Sequence, residues 1–175
     1  EQSGQDLLRL INRVSDFGKI SAGNIQLENQ SFDLTELTEK SFYKFKHMAN
    51  QHHLEMVLNL AHDIPHIIQT DERRLNTVID NLLENALLKT EYGEIELKID
   101  WKDQDKKDRL LFTVRDTGEG ISKDALKRIQ NPQNSLISSS ENIKDSEFVL
   151  MLCKQLIEAM NGEFYIESNV SNGTT

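Results

Sequence analysis

Residues 71–114 change hydrophobic period once, and that change limits what the chain can fold into. Over residues 71–90 the apolar side chains Leu75, Val78, Ile79, Leu82, Leu83 and Ala86 recur at the i, i+3, i+4, i+7 spacing of a helix with one buried stripe. From residue 94 the spacing shortens to two, with Ile95, Leu97, Ile99 and Trp101 on one face, as a half-buried strand requires. Leu110, Phe112 and Val114 repeat the alternation after the charged turn KDQDKKD, so the two segments are expected to form a hairpin. The fold class this predicts is α+β, a two-layer α/β sandwich whose mixed sheet is covered on one face by helices.

Composition narrows the partners. The chain has 175 residues, 37% of them hydrophobic, enough for one sizeable core and an appendage but hardly for two cores. Acidic side chains outnumber basic ones by 29 to 20, for a formal charge of -9. A surface for nucleic acid must neutralise phosphates, so that partner is disfavoured. Cys153 is the single cysteine, so no internal disulfide forms, and it is read as a small buried hydrophobe. No apolar run is long enough for a bilayer or a signal peptide, so a cytoplasmic location is expected.

Around the central segment the organisation is helical at both ends. Leu7, Leu10, Val14 and Phe17 lie at spacings of three, four and three, the narrow seam of a helix that pairs with another. Because this pattern is already under way at the first residue, the sequence is expected to be a piece of a longer protein. A polar stretch leads into a helical pattern over about residues 35–53, and residues 54–60 alternate as a strand. Ser122 is the predicted cap of a short helix through Ile129. A polar loop without periodicity spans about residues 130–146, and a loop of that length in a compact domain is usually functional or disordered. A helix from about Glu147 to Met160, a strand FYIES and the terminal NVSNGTT complete the chain.

Three motifs carry chemistry. In NLLENA, Asn81 and Asn85 lie four apart, so their amides share one helix face at the edge of the apolar stripe. In DTGEGI, Asp116 has the parity of Leu110, Phe112 and Val114, which aims its carboxylate at the apolar face if the strand geometry continues. An inward carboxylate needs a hydrogen-bonding partner, and a ligand is one candidate. The third motif is SNGTT at residues 171–175. Taken alone, DTGEGI fits a plain turn as well as a ligand site.

In this order, with a long loop and a helix between the second motif and the third, these residues resemble the ATP-binding domain of sensor and hybrid histidine kinases, a branch of the Bergerat-fold ATPases. LLRLINRVSDFGKISAGNIQLENQSFDL is similar to the second helix of that family's dimerisation hairpin running into the catalytic domain. The resemblance divides the chain into a partial dimerisation helix and linker at residues 1–30 and an ATP-binding domain at residues 31–175, with a lid loop at about 130–146. It implies that Asn85 binds the magnesium ion bridging the nucleotide phosphates, with Asn81 as the upstream amide of the motif. Gyrase-type and chaperone-type relatives carry a glutamate where Asn81 stands, so hydrolysis to water is not the implied chemistry. Asp116 is implied to accept from the adenine amino group, with Gly118 and Gly120 letting the backbone near the base, and Gly173 and Thr174 to lie by the pocket. Implied cofactors are ATP and Mg2+; implied partners are a second copy of the chain through the N-terminal helix and a receiver domain or response regulator.

Three departures leave two readings open. The family's second glycine box is absent, and Asp145, Glu147 and Val149 stand in place of its glycines, adding like charge where a triphosphate would be wrapped. The lysine expected three residues after Asn85 is replaced by Leu88, with Lys89 one position later and rotated towards the apolar stripe by roughly 100°. The phosphoacceptor histidine would precede residue 1, and His47, His52, His53, His62 and His66 are assigned no role. One reading is a kinase domain that passes the γ-phosphoryl group of ATP to a histidine outside these residues. The alternative is a pseudokinase module with a degenerate phosphate-binding half.

Overall fold

Three helices begin where a short side chain caps them, and those starts set the frame of the molecule in the computed structural model. Asp33 accepts from the Glu36 amide at 3.0 Å, Asp71 from the Arg74 amide at 3.0 Å, and Ser122 from the Ala125 amide at 3.3 Å. Each bond satisfies one of the donors that a helix start leaves without an intrahelical partner. The structure describes Gly18 and residues 25–104, 107–131 and 144–175. In chain order the elements are β1 (Gln30–Asp33), α1 (Leu34–Gln51), β2 (Glu55–Leu60), β3 (Ile67–Thr70), α2 (Glu72–Lys89), β4 (Glu94–Gln104), β5 (Lys107–Asp116), α3 (Lys123–Gln130) and α4 (Asp145–Ala159).

Strand β4 is central in a mixed three-stranded sheet, parallel to β2 and antiparallel to β5. Strands β1 and β3 form a separate antiparallel pair. The alternation read from the sequence sets the buried face: Ile95, Leu97 and Ile99 are at most 1% exposed. Ile95 and Leu97 pack with the stripe of α2, including Leu75, Ile79 and Leu83, and with Phe42, Phe45 and Ala49 of α1, in one core. Each such leucine, isoleucine or phenylalanine contributes about 1.5–3 kcal/mol by leaving water. Helix α4 packs on the other flank of α2, where Val78 meets Val149, Leu152, Cys153 and Leu156. The architecture is the expected α+β arrangement, with α1 and α2 against one side of the sheet.

The details differ in three places. The hairpin is longer than predicted, because the backbone ladder continues through the charged residues to Gln104 and Lys107; ladder hydrogen bonds are made by the backbone, so side-chain polarity does not mark the strand end. Strand β1 was not expected, since only Phe32 of its four residues is buried. The predicted strand FYIES does not form a ladder: pairing there is limited to a bridge between Ser168 and Thr174 and a reciprocal backbone pair between Glu167 and Thr175. The seam residues Leu7, Leu10, Val14 and Phe17, and most of the predicted lid, lie outside the described residues.

Candidate functional site

The site is built where β5 ends. Asp116 is opposite Ile95 in the β4–β5 ladder and is 6% exposed, as its parity predicted. Its Oδ1 accepts from the Gly118 amide at 2.8 Å, so the carboxylate folds over the turn that follows it. Its backbone pairs with Thr174 in both directions, the Asp116 amide donating at 2.9 Å and the Thr174 amide at 3.3 Å. Burial holds this carboxyl above the ordinary aspartate value, and the hydrogen bonds at Gly118 and Thr174 offset part of that rise.

Two glycines answer to backbone packing. A Cβ on Gly118 would lie 2.2 Å from the Lys89 carbonyl oxygen at the end of α2, and one on Gly173 would lie 2.0 Å from the Asp116 carbonyl oxygen. Gly173 also has φ +78, which side chains rarely adopt. Only chains without a Cβ can approach so closely. The Gly173 amide donates to the Gly118 carbonyl at 3.0 Å. Gly120 follows in the same turn, between Glu119, whose carbonyl accepts from Ser171 at 2.7 Å, and Ile121, whose amide donates to Ser168 Oγ at 2.8 Å. The end of α2, DTGEGI and SNGTT are therefore one hydrogen-bonded unit.

On α2, Asn81 is 8% exposed, and Asn85, one turn on, is half-buried. Asn85, Asp116 and Thr174 line one cavity of about 920 Å³, whose remaining wall is largely apolar and includes Leu82, Val114 and Leu150. Asn81, Lys89 and the three glycines of the motifs are not in that lining. Leu88 projects outward at 76% exposure. Lys89 Nζ reaches across to Glu119 Oε1 at 2.7 Å, and this bond holds the Glu119 carboxyl below its ordinary value.

The residues that replace the second glycine box do not all face the site. Glu147 is 5% exposed and is gripped by Arg128 of α3, with Nε to Oε2 at 2.8 Å and Nη2 to Oε1 at 2.9 Å. Its charge is neutralised inside the protein, which corrects the expectation of like-charge repulsion at this position. Val149 is buried in the α2–α4 core. Asp145 alone of the three is exposed, at the first turn of α4.

The family described as histidine kinase-, DNA gyrase B- and HSP90-like ATPase matches residues 70–175. The chain belongs to this ATPase family. Among curated relatives it is 32% identical over 178 residues to the hybrid signal transduction protein dokA of Dictyostelium discoideum, covering 99% of this chain and 11% of that protein. It is 30% identical over 177 residues to the signal transduction histidine-protein kinase BarA of Escherichia coli, covering all of this chain and 19% of that kinase. The chain thus spans between a tenth and a fifth of these relatives' length. Its structure superposes on full-length ShkA in complex with AMPPNP with a TM-score of 0.80 at 25% identity, covering 99% of this chain and 35% of that one. For histidine kinase ThkA in complex with the response regulator protein TrrA the TM-score is 0.64 at 22% identity, covering 98% and 46%. Within the family, the chain is an ATP-binding catalytic domain of the histidine-kinase type. Among the described residues no helix is long and apolar enough to cross a membrane.

Four residues of this ATPase unit were given no role in the sequence reading. Thr117 Oγ1 accepts from the Glu94 amide at 3.0 Å and donates to the Tyr92 carbonyl at 3.3 Å, tying the turn to the start of β4. Ser168 Oγ donates to the Gly173 carbonyl at 2.7 Å. Thr117 sits inside a recognised motif and could have been found there; Ser168, Arg128 and Glu119 owe their roles to partners far away in sequence.

Proposed function

We propose that this chain binds magnesium ATP and donates the γ-phosphoryl group to a histidine outside its 175 residues. The observation that carries this reading is the buried Asp116 carboxylate, aligned by Gly118 and Thr174 on the wall of the cavity that Asn85 also lines. A buried acceptor fits the exocyclic amino group of adenine, whereas guanine presents a carbonyl oxygen there and would leave two acceptors opposed. Selection for ATP over GTP follows.

Magnesium fits the donor set. The ion keeps several waters and takes one or two protein ligands besides the phosphates, and the half-buried Asn85 amide supplies one such oxygen, with Asn81 beside it. When bound, the ion neutralises charge on the β- and γ-phosphates. The chain's own part is to hold the base at Asp116, to set the nucleotide's direction along α2, and to keep the DTGEGI turn and SNGTT rigid around it. That is catalysis by positioning and electrostatics. Lys89 is the cation of α2 nearest to these groups in sequence.

In this reading residues 31–175 form the ATP-binding domain and residues 1–30 supply part of a dimerisation helix through Leu7, Leu10, Val14 and Phe17. A response regulator or receiver domain takes the phosphoryl group onward, in line with the ThkA complex. The buried and compensated Glu147 supports the kinase reading over the pseudokinase one, because it leaves Asp145 as the one added carboxylate that faces solvent. Substituting Asn85→Ala tests the assignment. The magnesium-dependent part of ATP affinity should disappear while metal-free ADP affinity stays; equal loss of both would reject Asn85 as the metal ligand.

A further inference from the structure

Lys89 and Glu119 meet at the rim between α2 and the DTGEGI turn. The Glu119 amide donates to the Lys89 carbonyl at 3.1 Å, and the Lys89 ammonium donates to Glu119 Oε1 at 2.7 Å. The backbone bond fixes the turn; the side-chain bond is of a different kind. The lysine side chain is 29% exposed and the glutamate 63%, and an ion pair so open to water adds little stability. The hydrogen bond from Lys89 holds the Glu119 carboxyl below its ordinary value, so near neutrality a competing anion, and not protonation, is what can break the pair.

Against the expectation that it turns towards the apolar stripe, Lys89 continues the row that begins with Asn81 and Asn85, and its ammonium lies at the rim on Glu119. Steps of four residues turn a helix by only about 40° and advance it by about 6 Å, so the ammonium on its four-carbon stem covers the ground just beyond the two amides. A lysine is a compact point charge that changes partners without backbone movement. A carboxylate oxygen and a phosphate oxygen are interchangeable acceptors for it.

We propose that Glu119 is an internal competitor for Lys89: it holds the ammonium when no nucleotide is bound and yields it to a phosphate of a bound nucleoside di- or triphosphate. The idea rests on the ATP-binding reading above. It assigns to Lys89 the phosphate contact that Leu88 cannot make, and to Glu119 a brake on affinity that acts on the phosphates and not on the base.

The test is calorimetric titration of the whole chain with adenosine, ADP and ATP, in the parent and in Glu119→Gln, Lys89→Met and the double variant. Glu119→Gln should tighten ADP and ATP by about two- to fivefold, the scale of one partly exposed ion pair, and leave adenosine unchanged. Lys89→Met should weaken ADP and ATP, and adding Glu119→Gln to it should have no further effect. Equal changes for adenosine and ADP in Glu119→Gln would mean that the pair only shapes the turn, and weaker ATP binding would mean that Glu119 itself assists the ligand; both overturn the proposal. A folded parent protein that binds none of the three would overturn the ATP-binding reading itself, an outcome distinct from parent binding without the predicted pattern.

Discussion

Arg128 on α3 holds Glu147 on α4 through two hydrogen bonds, at 2.8 and 2.9 Å, and so ties together the two helices that flank residues 131–144. The glutamate is 6% exposed at its side chain and the arginine 31%. Removing one partner strands a buried charge, whereas removing both does not. Arg128→Met should therefore destabilise the fold by about 1–3 kcal/mol, below the fully buried case because the arginine is partly open to water. The double variant Arg128→Met/Glu147→Leu should recover most of that loss. Chemical denaturation of the single and double variants checks this, and equal stability of all three would show that the pair carries no structural weight.

Gly118 is the tightest point between α2 and the DTGEGI turn. A methyl group there meets the Lys89 carbonyl oxygen at 2.2 Å, and backbone cannot yield as a flexible side chain would. Gly118→Ala is expected to cost about 1–3 kcal/mol, the range for overpacking, and to lower ATP affinity by shifting Asp116. A thermal melt with a parallel nucleotide titration reads both effects.

Asp116→Asn separates binding from folding. Because the Gly118 amide needs an acceptor at 2.8 Å, the new side chain keeps its oxygen there and turns its NH2 group towards the base. Two donors then face each other, and ATP binding should be lost while the melting temperature does not fall. Unchanged ATP affinity would remove the adenine assignment.

The acidity of Asp116 has consequences of opposite sign for stability and for binding. Burial raises its value, so its favourable contribution to folding is complete below the unfolded carboxylate pKa and is lost as pH rises through the folded one. Adenine needs the ionised acceptor, so ATP affinity should fall as pH falls through that same raised value, earlier than for an ordinary aspartate. Titrations between about pH 4 and pH 8 should show this fall in the parent; a flat profile would exclude Asp116 as the titrating acceptor.

Much of the fold was legible because it depends on period. The stripe of α2, the alternation of β4 and the inward parity of Asp116 follow from side-chain spacing alone, and Leu75, Ile79, Ile95 and Leu97 are buried as read. Strand β1 carries too few buried residues to leave such a trace, and FYIES alternates without pairing as a ladder. At the site, glycine-rich motifs marked the place but not the cause: Gly118 and Gly173 are demanded by the Lys89 and Asp116 carbonyls, contacts between distant segments that spacing does not encode. The compensation of Glu147 by Arg128 was illegible for the same reason, since the two lie on different helices on either side of a loop.

The most direct measurement is calorimetric titration of the folded chain with ATP and ADP, each with and without magnesium. The structure of the Asp116, Asn85 and Thr174 cavity predicts ATP binding that magnesium strengthens. Absence of binding at millimolar nucleotide, from protein shown by its melt to be folded, would contradict it.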